Sequence, residues 1–204
     1  MKKVFIILLS VLTVLITGCT SDENYVKETP GISGNISSME ILIDNNLIKI
    51  TDELTYKDLE KMGFQLDENY SGVLEKTIKP SKSADSMSIE SFNIKTSKDK
   101  LITVSVVNTG KKDCFVKDAL IYFISTYNLN EYDQSYILPA EIKHKSTADK
   151  MKEAWGEPQV DLTSLDDGKM IQYLNNNCTF TANLDNDCKM ESFSFNLNAN
   201  KLFK

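Results

Sequence analysis

Arginine is absent. All 23 cationic side chains in the 204 residues are lysines, and His144 is the single histidine. A chain without guanidinium forks, at a formal net charge of −6, lacks the usual means of gripping phosphates in pairs, which excludes nucleic acid as a partner. One histidine leaves a single side chain titrating near neutral pH, and with no Cys-x-x-Cys pair beside it a zinc site is not expected. Glycine (8) and proline (4) are scarce, so the chain is neither collagen-like nor of low complexity. No Gly-x-Ser-x-Gly, P-loop or dinucleotide fingerprint occurs, and no EF-hand spacing links the acidic pairs. No catalytic set, metal site or cofactor is expected. What remains, 41% hydrophobic and 25% charged residues, is the composition of a folded globular chain with a substantial core.

The longest apolar run is short. Val4 to Ile16, broken only by Ser10 and Thr13, follows the cationic start Met1-Lys2-Lys3. As a helix it would reach about 20 Å, against roughly 30 Å for a bilayer core. A basic start, a short apolar run and small residues at its end predict an export signal over residues 1–18. Ile16-Thr17-Gly18-Cys19 resembles the bacterial lipobox. That resemblance implies a diacylglycerol thioether on Cys19, cleavage before it, and acylation of the new amine with a fatty acid such as palmitate. The alternative is a plain secretory signal that happens to end in a cysteine. Removing Lys2 and Lys3 takes the formal charge from −6 to −8, so anionic headgroups repel the mature chain. Lipid, contributing about 0.8 kcal/mol per buried CH₂, must then hold it at the extracytoplasmic face of the cell membrane.

Residues 19–38 are polar, carry Pro30, Gly31 and Gly34, and show no periodicity; they read as a flexible tether. Beyond them the expected class is α+β, in two tandem units at 39–132 and 133–204, each a short helix packed on an antiparallel meander. In the first unit a hairpin turns at Asp44-Asn45-Asn46, and a helix of about two turns starts at Thr55 and stops at Gly63. Val73 to Lys79, Met87 to Thr96, Leu101 to Asn108 and Cys114 to Thr126 read as strands. In the second, Tyr136 to Leu138 is a short strand, Thr147 caps a helix that Gly156 ends, and Met170 to Leu174, Cys178 to Leu184 and Cys188 to Leu197 form a meander with a last turn at Asp185-Asn186.

Ser146, Thr147, Trp155, Gly156, Pro158, Tyr173, Phe180 and Phe193 follow the pattern of a recurring lipoprotein module: a hydroxyl-capped helix ending in an aromatic residue, Gly, any residue and Pro, then a meander with a Tyr strand and a Phe strand. The pattern resembles the repeats of the β-lactamase-inhibitor protein and of small lipoproteins of outer-membrane assembly. The layout as a whole is similar to uncharacterised Gram-positive lipoproteins. The resemblance implies a helix packed on an antiparallel sheet and a protein partner, with inhibition of an extracytoplasmic hydrolase as the alternative role. It supplies no catalytic residues.

With Cys19 assigned to lipid, Cys114, Cys178 and Cys188 remain, and at most one internal disulfide can form among three. A turn at Asp185-Asn186 sets Cys178 opposite Phe193, too far from Cys188 for a bond, so that pair is expected to be unbridged. His144 is expected to be a loop histidine, solvated or hydrogen-bonded beside a helix cap, without a catalytic partner. Tyr122, Phe123, Tyr127, Tyr132 and Tyr136 crowd the junction between the units. Tyr122, Tyr127, Tyr132 and Tyr136 are therefore candidates for a protein-binding surface, the alternative being that they pack between the units. The expected function is that of a lipid-anchored, non-enzymatic binding module whose partners are the membrane, through Cys19, and an extracytoplasmic protein.

Overall fold

The computed structural model describes residue 36, residues 39–126 and residues 136–203. The expected export signal, Cys19, most of the expected tether, Tyr127 and Tyr132 lie outside the described residues. The structure is mixed α and β, dominated by antiparallel sheet with few helices.

Strands β1 (Glu40–Ile43) and β2 (Asn46–Lys49) form the expected hairpin. Asp44 and Asn45 both sit at positive φ, 47° and 66°, the backbone that a tight two-residue connection between right-twisted strands requires. Helix α1 (Tyr56–Lys61) begins at Thr55, where the Asp58 carboxylate accepts from both the Thr55 amide (3.1 Å) and its hydroxyl (2.7 Å). It ends on Gly63 at φ 93°. The Gly63 amide donates to Glu60 and the Phe64 amide to Leu59, and the buried Phe64 and Leu59 side chains seal the stop. This is a Schellman closure, which needs a residue without a Cβ at its left-handed position.

The strands that follow are β3 (Gln65–Leu66), β4 (Thr77–Ile78), β5 (Ile89–Lys95), β6 (Leu101–Val107), β7 (Cys114–Phe115) and β8 (Leu120–Thr126). Two expected strands are interrupted. Val73–Glu75 is a short 3₁₀ turn, entered through Gly72 at φ 82°, that leaves only β4 as strand. Cys114 to Thr126 breaks at the 3₁₀ turn Val116–Asp118. The later elements are β9 (Tyr136–Ile137), α2 (Ala148–Trp155), β10 (Val160–Asp161), β11 (Met170–Leu174), β12 (Cys178–Leu184), β13 (Met190–Leu197) and α3 (Ala199–Leu202). The Thr147 hydroxyl accepts from the Lys150 amide (3.2 Å), capping α2 as expected. Gly156 at φ 84° ends it.

Eight strands form one sheet in the order β10-β11-β12-β13-β8-β6-β5-β3. Residues 65–126 supply four neighbouring strands and residues 160–197 the other four. The halves meet where β13 pairs β8, Phe195 opposite Ile124 and Ser194 opposite Ser125. A second sheet, β2-β1-β9, joins the N-terminal hairpin to β9, and a third pairs β4 with β7.

One face of the large sheet is the core. Tyr173, Phe180, Phe195, Ile124, Val104 and Phe92 stand in register across six strands, and all are buried. Three elements close over that face through aromatic contacts. Tyr56 of α1 meets Phe92 at 5.8 Å, Tyr136 of β9 meets Phe193 at 4.7 Å, and Trp155 of α2 meets Phe180 at 5.4 Å. These edge-on geometries suit ring quadrupoles. The side chains of both halves belong to a single buried cluster.

Candidate functional site

The opposite face of the large sheet follows from the same alternation. Side chains one step out of phase with the core row project the other way. In register they are Asn93, Thr103, Ser125, Ser194, Thr181 and Gln172. The next row on that face is Ser91, Ser105, Phe123, Asn196, Thr179 and Leu174. None of these side chains is charged, although a quarter of the chain is. Solvated faces of antiparallel sheets commonly carry charge, which also discourages sheet-to-sheet association. Here hydroxyls and amides bond one another along the rows. Thr103 donates to Asn93 (2.8 Å) and Gln172 to Thr181 (3.1 Å), the Ser91 and Ser105 hydroxyls lie 2.8 Å apart, and one step beyond these rows, where Asn183 pairs with Ser192, Asn183 donates to Ser192 (2.9 Å).

Tyr122 enters this face through an irregularity. The register of β8 on β6 shifts between Ser105, opposite Phe123, and Val106, opposite Ile121, leaving Tyr122 as the extra residue of a bulge. Burial pushes its phenol above the usual tyrosine range, and a hydrogen bond with Ser105 partly opposes that. The half-buried Tyr122 and Phe123 rings lie 6.5 Å apart at the middle of the face. Ser125, 2% exposed, keeps a hydroxyl without a partner among the described residues.

Of the four tyrosines expected to form a protein-binding surface, the two that are described lie in different places. Tyr122 is half-buried on the open face, whereas Tyr136 is 1% exposed and belongs to the core against Phe193. Tyr136 is corrected from surface to core, because β9 pairs with β1 and its ring turns onto the large sheet. Tyr127 and Tyr132, like Cys19, fall outside the described residues.

Cys114, Cys178 and Cys188 are free thiols, and the Cys178–Cys188 pair is unbridged as expected, but for a different register. Leu184 pairs with Met190, so the turn spans Asp185 to Lys189. Cys178 then lies opposite Leu197, and Cys188 sits inside the turn at φ 57°. Burial pushes the Cys178 thiol up to about 12. Cys114 is also raised by burial, with Asp118 and Asp113 adding to it. A thiol held protonated at neutral pH is a poor nucleophile.

His144, in the loop before α2, is buried (8% exposed) and not solvated. A cleft of about 710 Å³ runs between the loops at Asp52-Glu53 and Thr109–Asp113. Buried Asn108 organises it, donating to the carbonyls of Ile78 (2.9 Å) and Lys112 (2.8 Å) and accepting from the Gly110 amide (2.9 Å). Carboxylates and the lysines Lys111 and Lys112 both line it, and Asp118 is already paired with Lys57. Among the described residues no three or more His, Cys, Asp or Glu side chains converge to hold a metal. Also among them, no helix is long and apolar enough to cross a membrane. Comparison with protein-family models, curated proteins and solved structures returned no match for this chain.

Proposed function

We propose that this chain is a lipid-anchored, extracytoplasmic, non-enzymatic module that binds a protein through the open face of its large sheet. The uncharged two-row surface centred on Tyr122 and Phe123 carries the reading. Five inter-strand steps of about 4.8 Å make each row about 24 Å long, close to the width of a standard interface patch. Ser, Thr and Asn lose little rotamer freedom when a partner covers them, whereas Lys and Glu lose more, so ordering such a face costs less. Aromatic rings set among short hydroxyls and amides are also the chemistry of antibody-type recognition surfaces, where rings anchor and small polar groups adapt.

In this reading residues 1–18 are an export signal, Cys19 carries diacylglycerol, and residues 19–38 let the folded part stand off the membrane. The two halves of the large sheet are tandem units joined edge to edge, which doubles the width of the face. A photo-crosslinker placed at exposed Asn196, on the open face, tests it in the full chain at the membrane. It should yield a discrete protein adduct, and the same probe at exposed Glu153, on α2, should not. Identical adducts from both positions, or none from Asn196, refute the proposed face. An extracytoplasmic hydrolase in the Asn196 adduct would assign the inhibitory role.

A further inference from the structure

The loop between β10 and β11 carries Asp166-Asp167-Gly168, and all three residues are exposed. Gly168 is the only one of the eight glycines that directly follows an Asp or Asn. Its amide donates to Oδ1 of the preceding Asp167 side chain (2.9 Å), so the Gly168 nitrogen stands beside the Asp167 carboxyl carbon. Gly168 sits at φ 68°, and beyond its chain neighbours nothing lies within 4 Å of the point where a Cβ would project. The loop is pinned on both sides of this pair. Asp161 accepts from the Thr163 amide (3.0 Å) and hydroxyl (2.6 Å). Lys169 donates through Nζ to the Asn186 carbonyl (2.8 Å), and its own carbonyl accepts from the Leu184 amide (2.9 Å).

An amide nitrogen held against the carboxyl carbon of the residue before it is a near-attack pair for closing a five-membered ring. We propose that Asp167 is a modification site, where the Gly168 nitrogen closes on the side chain in the folded chain and the resulting succinimide opens to isoaspartate. In the first step the bond between the Gly168 nitrogen and Asp167 Cγ forms, and a Cγ–O bond breaks. The carboxyl oxygen leaves as water, taking the amide proton and the carboxyl proton. In the second step water adds to one of the two ring carbonyls. Breaking the bond from nitrogen to the Asp167 main-chain carbonyl carbon leaves the chain running through the side chain, which is isoaspartate. Breaking the bond from nitrogen to Cγ restores aspartate. Water is the only other reactant, and the mass returns to its starting value. An exposed loop accommodates the added backbone atom. The neighbouring aspartates lack this arrangement. Asp161 precedes Leu162, and its carboxylate is engaged by Thr163 and by Lys152 (2.7 Å). Asp166 precedes Asp167, whose own side chain crowds the nitrogen that would attack.

The full chain in a maltoside detergent is held at 37 °C in oxygen-18 water and then digested with trypsin in ordinary water. Cleavage after Lys152 and Lys169 releases residues 153–169, which hold Asp161, Asp166 and Asp167 together with Trp155, the only tryptophan, for detection. A second peak of the same sequence should grow with time, heavier by one oxygen-18 exchange. Electron-transfer fragmentation, which cleaves isoaspartate at its added backbone methylene, should place the isoaspartate at 167. Asp167→Glu, whose closure would need a six-membered ring, should abolish that peak. The folded chain should convert at least as fast as the same chain unfolded in guanidinium chloride, because the loop already holds the pair together. No second peak, a peak without oxygen-18, isoaspartate formed equally at 161 or 166, a peak that persists in Asp167→Glu, or slower conversion in the folded chain would each overturn the proposal.

Discussion

Phe195→Ala probes the joint between the two halves. Phe195 is 0% exposed and stands in the core row between Phe180 and Ile124, with ring centroids 5.0 Å from Phe180 and 6.0 Å from Phe193. Truncating a fully buried phenylalanine costs about 3–5 kcal/mol, and lost ring pairs push toward the upper end. A value of about 4 kcal/mol is a large share of the 5–15 kcal/mol that stabilises a typical domain. With a urea dependence of about 2 kcal/mol per molar, the midpoint should fall by about 2 M. Equilibrium unfolding followed by Trp155 emission and by far-UV circular dichroism measures this. Because one core row crosses from β11 to β5, both signals should shift together in one transition. A circular-dichroism transition left at the wild-type midpoint while Trp155 moves would mean that the halves fold separately. A shift below about 0.5 M would mean that the row is not packed as described.

Three further outcomes follow from local chemistry. Thr147→Ala removes the hydroxyl that caps the Lys150 amide and should cost about 1 kcal/mol in thermal or urea unfolding; no change would mean that the cap is not formed. Asp58 is held low chiefly by hydrogen bonds from Thr55 and Lys61, and Asp161 is held at about 2 by Lys152 and Thr163. Burial is the largest single influence on Asp185 and pushes it up, but Lys145 and the Lys189 and Asp187 amides together outweigh it, so Asp185 is also low. Each has a folded pKa below its unfolded value. Their contribution is therefore complete above about pH 4 and lost as pH falls toward 2, which urea midpoints across that range should show. Cys178, buried and raised to about 12, should stay unlabelled by a thiol reagent at pH 8 until the chain unfolds, while half-buried Cys188 reacts first.

Features with local causes are legible in the sequence. Thr55 with Asp58, Gly63, Thr147 and Gly156 mark helix ends because a cap needs only neighbours within one turn, and Asp44-Asn45 marks a hairpin for the same reason. Long-range pairing is not written this way. Nothing near Phe193 or Thr126 announces that β13 and β8 pair. Aromatic crowding at Tyr136 looks the same whether the ring meets solvent or Phe193. The last turn is lengthened by the Asp185 carboxylate, which accepts from the Asp187 and Lys189 amides, and by Cys188 in a left-handed backbone that its residue type does not signal. The open face does leave a trace, since Thr103, Thr181 and Ser194 alternate with apolar neighbours. Its lack of charge becomes visible only once the register lines those positions up.

Mass analysis of the N-terminal peptide from the chain purified out of its native membranes tests the central claim most directly. The account predicts a chain beginning at Cys19 with a diacylglyceryl group on its sulfur. A soluble chain that still carries residues 1–18, with an unmodified Cys19 thiol, would contradict it.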